Sequence, residues 1–336
     1  MEALYRRLRY RLGGEVVQHL GFHSAWALPA SSSLLAEARR IPADLTIVHN
    51  EAPHWVGWQL IQEGRRVAAD LEDWHSEDLL PEHSLKRPLR LLRAQEKALL
   101  HQAIYTTTTS QSLATALHQR YGGSAPEVVT NSFPLQPNPL PRPLGEPPSF
   151  YWFSQTVGPG RGLEPWIQAW ARTITPSHLV LQGECAPQYQ KKLLSLLPPA
   201  KQSQLQFLPL TDPDQLPAFI ARHDIGLALE ESSIGNRNLT ITNKILQYLN
   251  AGLPVLASHT EGQREVLARD SEAGWLVDLN DTQGLTRKLD AILQDKPRLD
   301  KMRWAARSLA ENVYCWEKEA PTMVERVHQS LLRNFP

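Results

Sequence analysis

Cysteine is nearly missing from this chain: Cys185 and Cys315 are the only two among 336 residues. Two thiols cannot build the disulfide framework of a small secreted scaffold, so a reducing compartment is expected. Long apolar runs are missing too. No stretch approaches the roughly 20 residues that a spanning helix needs, and the first residues lack the apolar core of a secretory signal. The expected location is therefore the cytoplasm. Net charge is absent as well. Thirty-five basic side chains balance 35 acidic ones, which leaves no global positive field to recruit nucleic acid. Neither a short-period repeat nor a low-complexity tract occurs.

What is present describes an ordinary globular protein, 42% hydrophobic and 21% charged. A chain of this length exceeds one typical core and suits two domains. Proline and tryptophan stand out, at 26 and 10 residues. The prolines bear on domain layout, and most tryptophans read as packing residues.

The segment Tyr5-Arg6-Arg7-Leu8-Arg9-Tyr10-Arg11-Leu12 begins a basic, partly amphipathic helix. Such a helix either docks on an anionic membrane face or lies solvated on the surface; its shortness favours the second reading. Apolar strands then alternate with helices. Leu45–His49, Val67–Ala69, Ala103–Thr107 and Glu127–Thr130 read as strands. Helices are expected from Trp55 to Gln62, from about Leu85 to Leu100 and from Ser110 to Arg120. This rhythm predicts a parallel sheet. The stretch Pro134-Leu135-Gln136-Pro137-Asn138-Pro139-Leu140-Pro141-Arg142-Pro143, ending near Pro147-Pro148, can neither donate ladder hydrogen bonds nor continue a helix. It reads as a stiff interdomain linker.

The second half restarts the rhythm. Strands are expected at Phe150–Phe153, His178–Leu181, Leu205–Phe207, Ile225–Leu229, Val255–Ala257 and Trp275–Val277, with helices between them and a helical tail broken near Cys315. The reading divides the chain into an acceptor-side domain at 1–133, a linker at 134–148, a nucleotide-binding domain at 149–314 and a C-terminal helix at 315–336. Two consecutive doubly wound α/β domains suggest a ligand cleft between them.

Three constellations bear chemistry. In Gly158-Pro159-Gly160-Arg161-Gly162-Leu163-Glu164 a strand runs through a glycine turn into a helix. Such a turn brings backbone amides to a phosphate, and Arg161 can fork onto a diphosphate. It is neither the dinucleotide fingerprint nor a Walker loop. The second is Thr242-Asn243-Lys244 running through Gln247 and Tyr248 to Gly252-Leu253-Pro254-Val255. Thr242 or Asn243 would cap the helix. Lys244 in its first turn opposes the helix dipole unless an anion binds there. The third, Asp70-Leu71-Glu72-Asp73-Trp74-His75-Ser76, follows a strand and places carboxylates and an imidazole where parallel sheets hold ligands. These groups can orient a hydroxyl or act as a base. Capping with surface charge, or a divalent metal site, are the competing readings.

Taken together, these segments resemble the glycosyltransferases of the GT-B superfamily, group 1 and family four-like, from about Ala43 to Trp316. The Asn243-Lys244 helix with Tyr248, Gly252 and Pro254-Val255 is similar to that group's signature. The resemblance implies two Rossmann-like domains facing across a cleft. It also implies retaining transfer from a nucleotide-diphosphate sugar without a metal or other cofactor. Gly160, Arg161, Gly162, Glu230, Asn243, Lys244 and Gln247 would bind the donor, while Glu72, Asp73 and His75 would act on the acceptor. By the same analogy the acceptor is a saccharide or lipid-linked chain of an envelope polysaccharide, which suits peripheral contact with the inner membrane face; nucleic acid is not an expected partner. Some features depart from the group. The pair of glutamates is missing, with Gln247 where the second would fall and Leu239 eight positions before it; Glu72 stands where many relatives have histidine; and no strand with a glycine turn precedes residue 40, so either an abbreviated first domain or a sequence that begins late is expected. A non-catalytic nucleotide-sugar-binding relative and a nucleotide-sugar epimerase are the alternatives.

Overall fold

The computed structural model describes residues 2–80, 84–140 and 142–332. The chain forms two compact units. Unit 1 comprises Met1–Thr130, Ser233–Thr240 and Pro321–Pro336, and unit 2 comprises Asn131–Ser232 and Ile241–Ala320.

In the first stretch of unit 1 the helices are α1 (Glu2–Leu20), α2 (Ser31–Arg40), α3 (Glu51–Gln62), α4 (Leu89–Gln102) and α5 (Gln111–Tyr121). The strands are β1 (Thr46–His49), β2 (Val67–Asp70), β3 (Thr106–Thr108) and β4 (Glu127–Val128). The four strands run parallel in the order β1-β2-β3-β4. His49 lies opposite Asp70, and Asp70 opposite Thr107, so three polar residues line up at the carboxyl ends of three strands. Leu60, Leu99 and Leu113 from three helices close over Val67 and Ala69 to form the core. The helix expected from Leu85 starts at Leu89 instead. Pro88 explains the delay, because its ring disfavours helical geometry at Arg87 while its own fixed φ suits a helix start.

Unit 2 contains β5 (Ser149–Val157), α6 (Leu163–Trp170), β6 (His178–Cys185), α7 (Pro187–Ser195), α8 (Pro199–Gln202), β7 (Leu205–Leu208), α9 (Leu216–Ile220) and β8 (Ile225–Ala228). After α10 (Gly235–Leu239), which belongs to unit 1, come α11 (Asn243–Asn250), β9 (Val255–Ser258), α12 (Glu261–Leu267), β10 (Gly274–Val277), α13 (Thr282–Gln294) and α14 (Lys296–Asn312). The last helix, α15 (Trp316–Leu332), begins in unit 2. The six parallel strands are ordered β10-β9-β8-β5-β6-β7, the Rossmann arrangement.

Strand periodicity explains why this sheet is covered on both faces. Phe150 and Trp152 of β5 join one core with Trp166, Trp170 and Leu289, whereas Tyr151 between them joins a second core with Tyr248, Leu249 and Ala306. Successive side chains alternate, so one strand feeds both layers. Trp152, Trp166 and Trp170 are all fully buried, as packing residues should be.

The signature around Gly252 has a local cause. Leu253 N–H donates to the Tyr248 carbonyl and Gly252 N–H to that of Leu249, both at 2.9 Å. This Schellman closure requires a left-handed residue, and Gly252 has φ +67°. Pro254 then cannot resume the helix, and β9 begins at Val255.

The proline-rich stretch does not behave as a free linker; it is laid along unit 2. Its few N–H groups find side-chain acceptors. Leu135 donates to Glu317, Gln136 to Asn250, and Gly145 to Asp224. Arg307 donates to the Gln136 carbonyl at 2.8 Å, and Leu140 is buried. Proline removes donors in advance, so an irregular segment can pack without leaving orphaned amides.

Candidate functional site

In unit 2 the strand order reverses between β5 and β8, and such reversals open a crevice at the strands' carboxyl ends. Both expected donor segments end there. After β5 the chain turns through Gly160 (φ +73°) and Gly162 (φ +68°), a region costly for side-chain-bearing residues. A Cβ on Gly162 would lie 2.7 Å from Leu279, and one on Gly160 would face the Glu231 carboxylate at 3.9 Å. The turn therefore converges on the end of β8. Arg161 between the two glycines is half-buried and has no hydrogen bond or ion pair among the described residues. Gly162 caps α6 without a side-chain acceptor, so the first amides of that helix are open.

The start of α11 differs from expectation. Thr242 occupies the cap position, yet its side chain makes no capping bond, and its Oγ1 is buried without a partner among the described residues. Lys244 is not presented free to an anion: its Nζ lies 2.8 Å from Oε1 of Glu230, with the Glu230 side chain buried and that of Lys244 12% exposed. The carboxylate that offsets the helix dipole is thus supplied by the protein. Lys244 also stands 5.5 Å from the centre of the Trp152 ring. Glu230 is held through its backbone, which exchanges hydrogen bonds with Ser258 Oγ at 2.7 and 2.8 Å. Asn243 is exposed. Among the described residues the Oε1 of Gln247 is buried and unpartnered, and Gln247 lines a cavity of about 720 Å³ with Phe133, Pro137, Leu216 and Asn250.

In unit 1 the loop after β2 is an ordered network. Asp70 uses both oxygens, one on Thr107 Oγ1 at 2.8 Å and one on His49 Nδ1 at 2.9 Å. The other ring nitrogen of His49 faces Glu72 Oε2 at 2.8 Å. Asp73 accepts from the Asn236 side chain at 2.7 Å. His75 lies deeper. It is buried, packs against His54 with ring centres 5.5 Å apart, and has Nδ1 3.7 Å from Glu51. Burial, with a smaller contribution from His49, pushes its pKa down to about 4, so the ring is neutral near pH 7. Burial drives His54 lower still, to about 3.

Behind the loop, Glu96 accepts from Ser76 N at 2.9 Å, Ser76 Oγ at 2.7 Å and Tyr121 OH at 2.7 Å. Desolvation raises its pKa to about 7 despite these bonds. Asn50, between β1 and α3, has φ 72° and ψ 167°. That region is essentially reserved for glycine, and strain of this kind clusters at functional sites.

Residues 148–295 match the family described as Glycosyl transferases group 1. Similar solved structures cover most of the chain. Sucrose-phosphate synthase of Thermosynechococcus elongatus aligns over 89% of this chain and 76% of its own, at 18% identity and TM-score 0.71. HepE of Anabaena in complex with UDP-glucose aligns over 90% and 82%, at 18% identity and TM-score 0.69. A variant of S. aureus TarM in complex with fondaparinux, alpha-GlcNAc-glycerol and UDP aligns over 91% and 59%, at 9% identity and TM-score 0.65. The fold is GT-B, with two Rossmann-like domains. No curated protein sequence matches the chain.

In unit 1, sequence reasoning missed His49, Glu96 and Asn236. His49 had a readable signal, since it ends a strand just as Asp70 does. Glu96 lies within the helix expected from about Leu85 to Leu100, and α4 turns it inward with Gln95. Asn236 gave no local signal.

Proposed function

We propose that this chain transfers a hexosyl group from a nucleotide-diphosphate sugar, with UDP as the nucleotide, to a hydroxyl of a saccharide or lipid-linked acceptor. The reading places the donor on the group 1 domain, at the reversal of its strand order. One observation supports it most directly: Arg161, between two left-handed glycines, has no protein partner among the described residues and stands beside an uncapped helix start.

When the anomeric carbon–oxygen bond breaks, its electron pair goes to the diphosphate. Arg161 and the open amides of α6 and α11 stabilise that charge, and no metal is needed. The acceptor hydroxyl forms the new bond on the same face, so configuration is retained, and its proton leaves to a diphosphate oxygen or to the acceptor loop. Glu72, linked through His49 to Asp70, and Asp73 orient the hydroxyl. Burial makes His75 a neutral support for the loop in this scheme.

The pathway proposed is envelope polysaccharide or glycoconjugate assembly on the inner face of the membrane. Exposed Leu8 and Leu12, four residues apart on α1 among arginines in the sequence, support peripheral contact there. No helix among the described residues is long and apolar enough to cross a membrane. The test is calorimetry with UDP and UDP-sugars, followed by transfer assays in chelator. Binding that survives Arg161→Ala unchanged would refute the donor site.

A further inference from the structure

The side-chain amide of Asn236 is used to capacity. Oδ1 accepts from the Trp74 N–H at 2.8 Å and from Thr240 Oγ1 at 2.9 Å. Nδ2 donates to Oδ1 of Asp73 at 2.7 Å and to Oδ1 of Asp78 at 3.1 Å. An amide offers two acceptor and two donor positions, and all four are filled. The orientation is therefore fixed, because a flip would aim oxygen at two carboxylates and N–H at another N–H. The residue is buried.

Its place in the chain gives this arrangement a role. Asn236 lies in Ser233–Thr240, a stretch of unit 1 whose neighbours on both sides belong to unit 2. Glu230 precedes the stretch and Lys244 follows it, and these two form the ion pair beside the donor turn. Ser110 Oγ fixes the far end of α10 by donating to the Leu239 carbonyl at 2.6 Å.

We infer that Asn236 is a positioning residue: it sets the Asp73 carboxylate and the following turn for the acceptor, from the segment that joins the two donor-side elements. This rests on the donor and acceptor roles proposed above. Other anchors hold later parts of the same loop. Glu96 takes Ser76, and Arg87 donates to the His75 carbonyl at 3.1 Å. Asn236 is the anchor that reaches the Asp73 side chain.

Asn236→Asp tests the idea with little change of size. It puts a third carboxylate against Asp73 and Asp78, and protonation restores one O–H donor. The other charged groups around this point are Glu77, Arg93 paired with it at 3.1 Å, Arg237 on α10, and Glu96 behind Ser76. Acceptor kcat/KM should fall by roughly a hundredfold near pH 8, as misplacement of a reacting group can cost. The deficit should narrow to about tenfold near pH 5.5, as the introduced carboxylate gains its proton. UDP affinity should stay within about twofold, since unit 2 retains its own contacts. Hydrogen exchange should quicken in residues 72–78 for both Asn236→Asp and the milder Thr240→Val, while the core of unit 2 keeps its protection.

Unchanged exchange in 72–78, unchanged acceptor kcat/KM, or a deficit independent of pH would each overturn the inference. A wild-type chain that transfers no sugar would overturn the proposed function and this role with it. Wild-type transfer matched by the variants would overturn the positioning role alone.

Discussion

Lys244 and Glu230 form a largely buried ion pair, with Nζ 2.8 Å from Oε1, at the carboxyl end of β8. Removing one partner of such a pair strands the other charge in a poorly solvated site. Lys244→Ala should therefore cost about 3 kcal/mol of stability. The double variant Lys244→Met with Glu230→Leu should recover most of that loss without recovering UDP affinity. Urea unfolding with matched m-values checks the first outcome and calorimetry the second. Equal stability for the single and double variants would show that the loss does not come from a stranded Glu230 charge.

Arg161 should behave in the opposite way. Having no protein partner among the described residues, it can be replaced by alanine with a stability change within about 0.5 kcal/mol. UDP affinity should nonetheless drop by about 1.5 to 3 kcal/mol, the worth of hydrogen bonds to a charged group. Thermal shift without ligand and titration with UDP would separate the two effects.

Asn50 occupies a glycine-only backbone region beside His49. Relief of that strain is worth about 1 to 3 kcal/mol, against about 0.5 to 1 kcal/mol for the extra unfolded-state freedom of glycine. Asn50→Gly should thus stabilise the chain by about 1 kcal/mol. A thermal midpoint that falls instead would mean that the Asn50 side chain makes a compensating contribution.

Glu96 gives a pH signature. Its folded pKa, about 7, lies above the ordinary 4.5. The native state therefore holds this proton more tightly than the unfolded chain. The favourable contribution is complete below about pH 4.5 and is lost as pH rises to about 7. Relative to Glu96→Gln, the wild type should lose roughly 3 kcal/mol across that window. His54 and His75 have the opposite sign. Their depressed values, about 3 and 4, make them stabilising above pH 6.5 and a growing liability as pH falls through that window. Comparing wild type with Glu96→Gln cancels the histidine contribution and isolates the glutamate. A difference that does not change with pH would show that the Glu96 carboxyl titrates normally.

The strand–helix rhythm was legible because a parallel strand covered on both faces must be an apolar run, as in Val255–Ser258. The glycine turn was legible because few residues tolerate its backbone. Gln247 shows the limit of a motif position: it gives a place along a helix, while the direction of the side chain depends on what packs against it. The proline tract misled because its composition resembles a linker, and the acceptors waiting on Glu317, Asn250 and Asp224 are distant in sequence. The link from Asn236 to Asp73 spans 163 positions. No local pattern encodes a pairing of that length.

Because unit 1 draws on three separate stretches, the chain passes between the units four times. The two halves are consequently not interchangeable cassettes. Grafting residues 1–130 onto the second half of another chain of this fold would leave the Trp74 amide without its acceptor and the core without Leu239. Recombination that preserves the fold must move Ser233–Thr240 together with the first half. An exchange of the first unit between two chains of this fold would therefore require a second, short insertion deep in the second half of the gene.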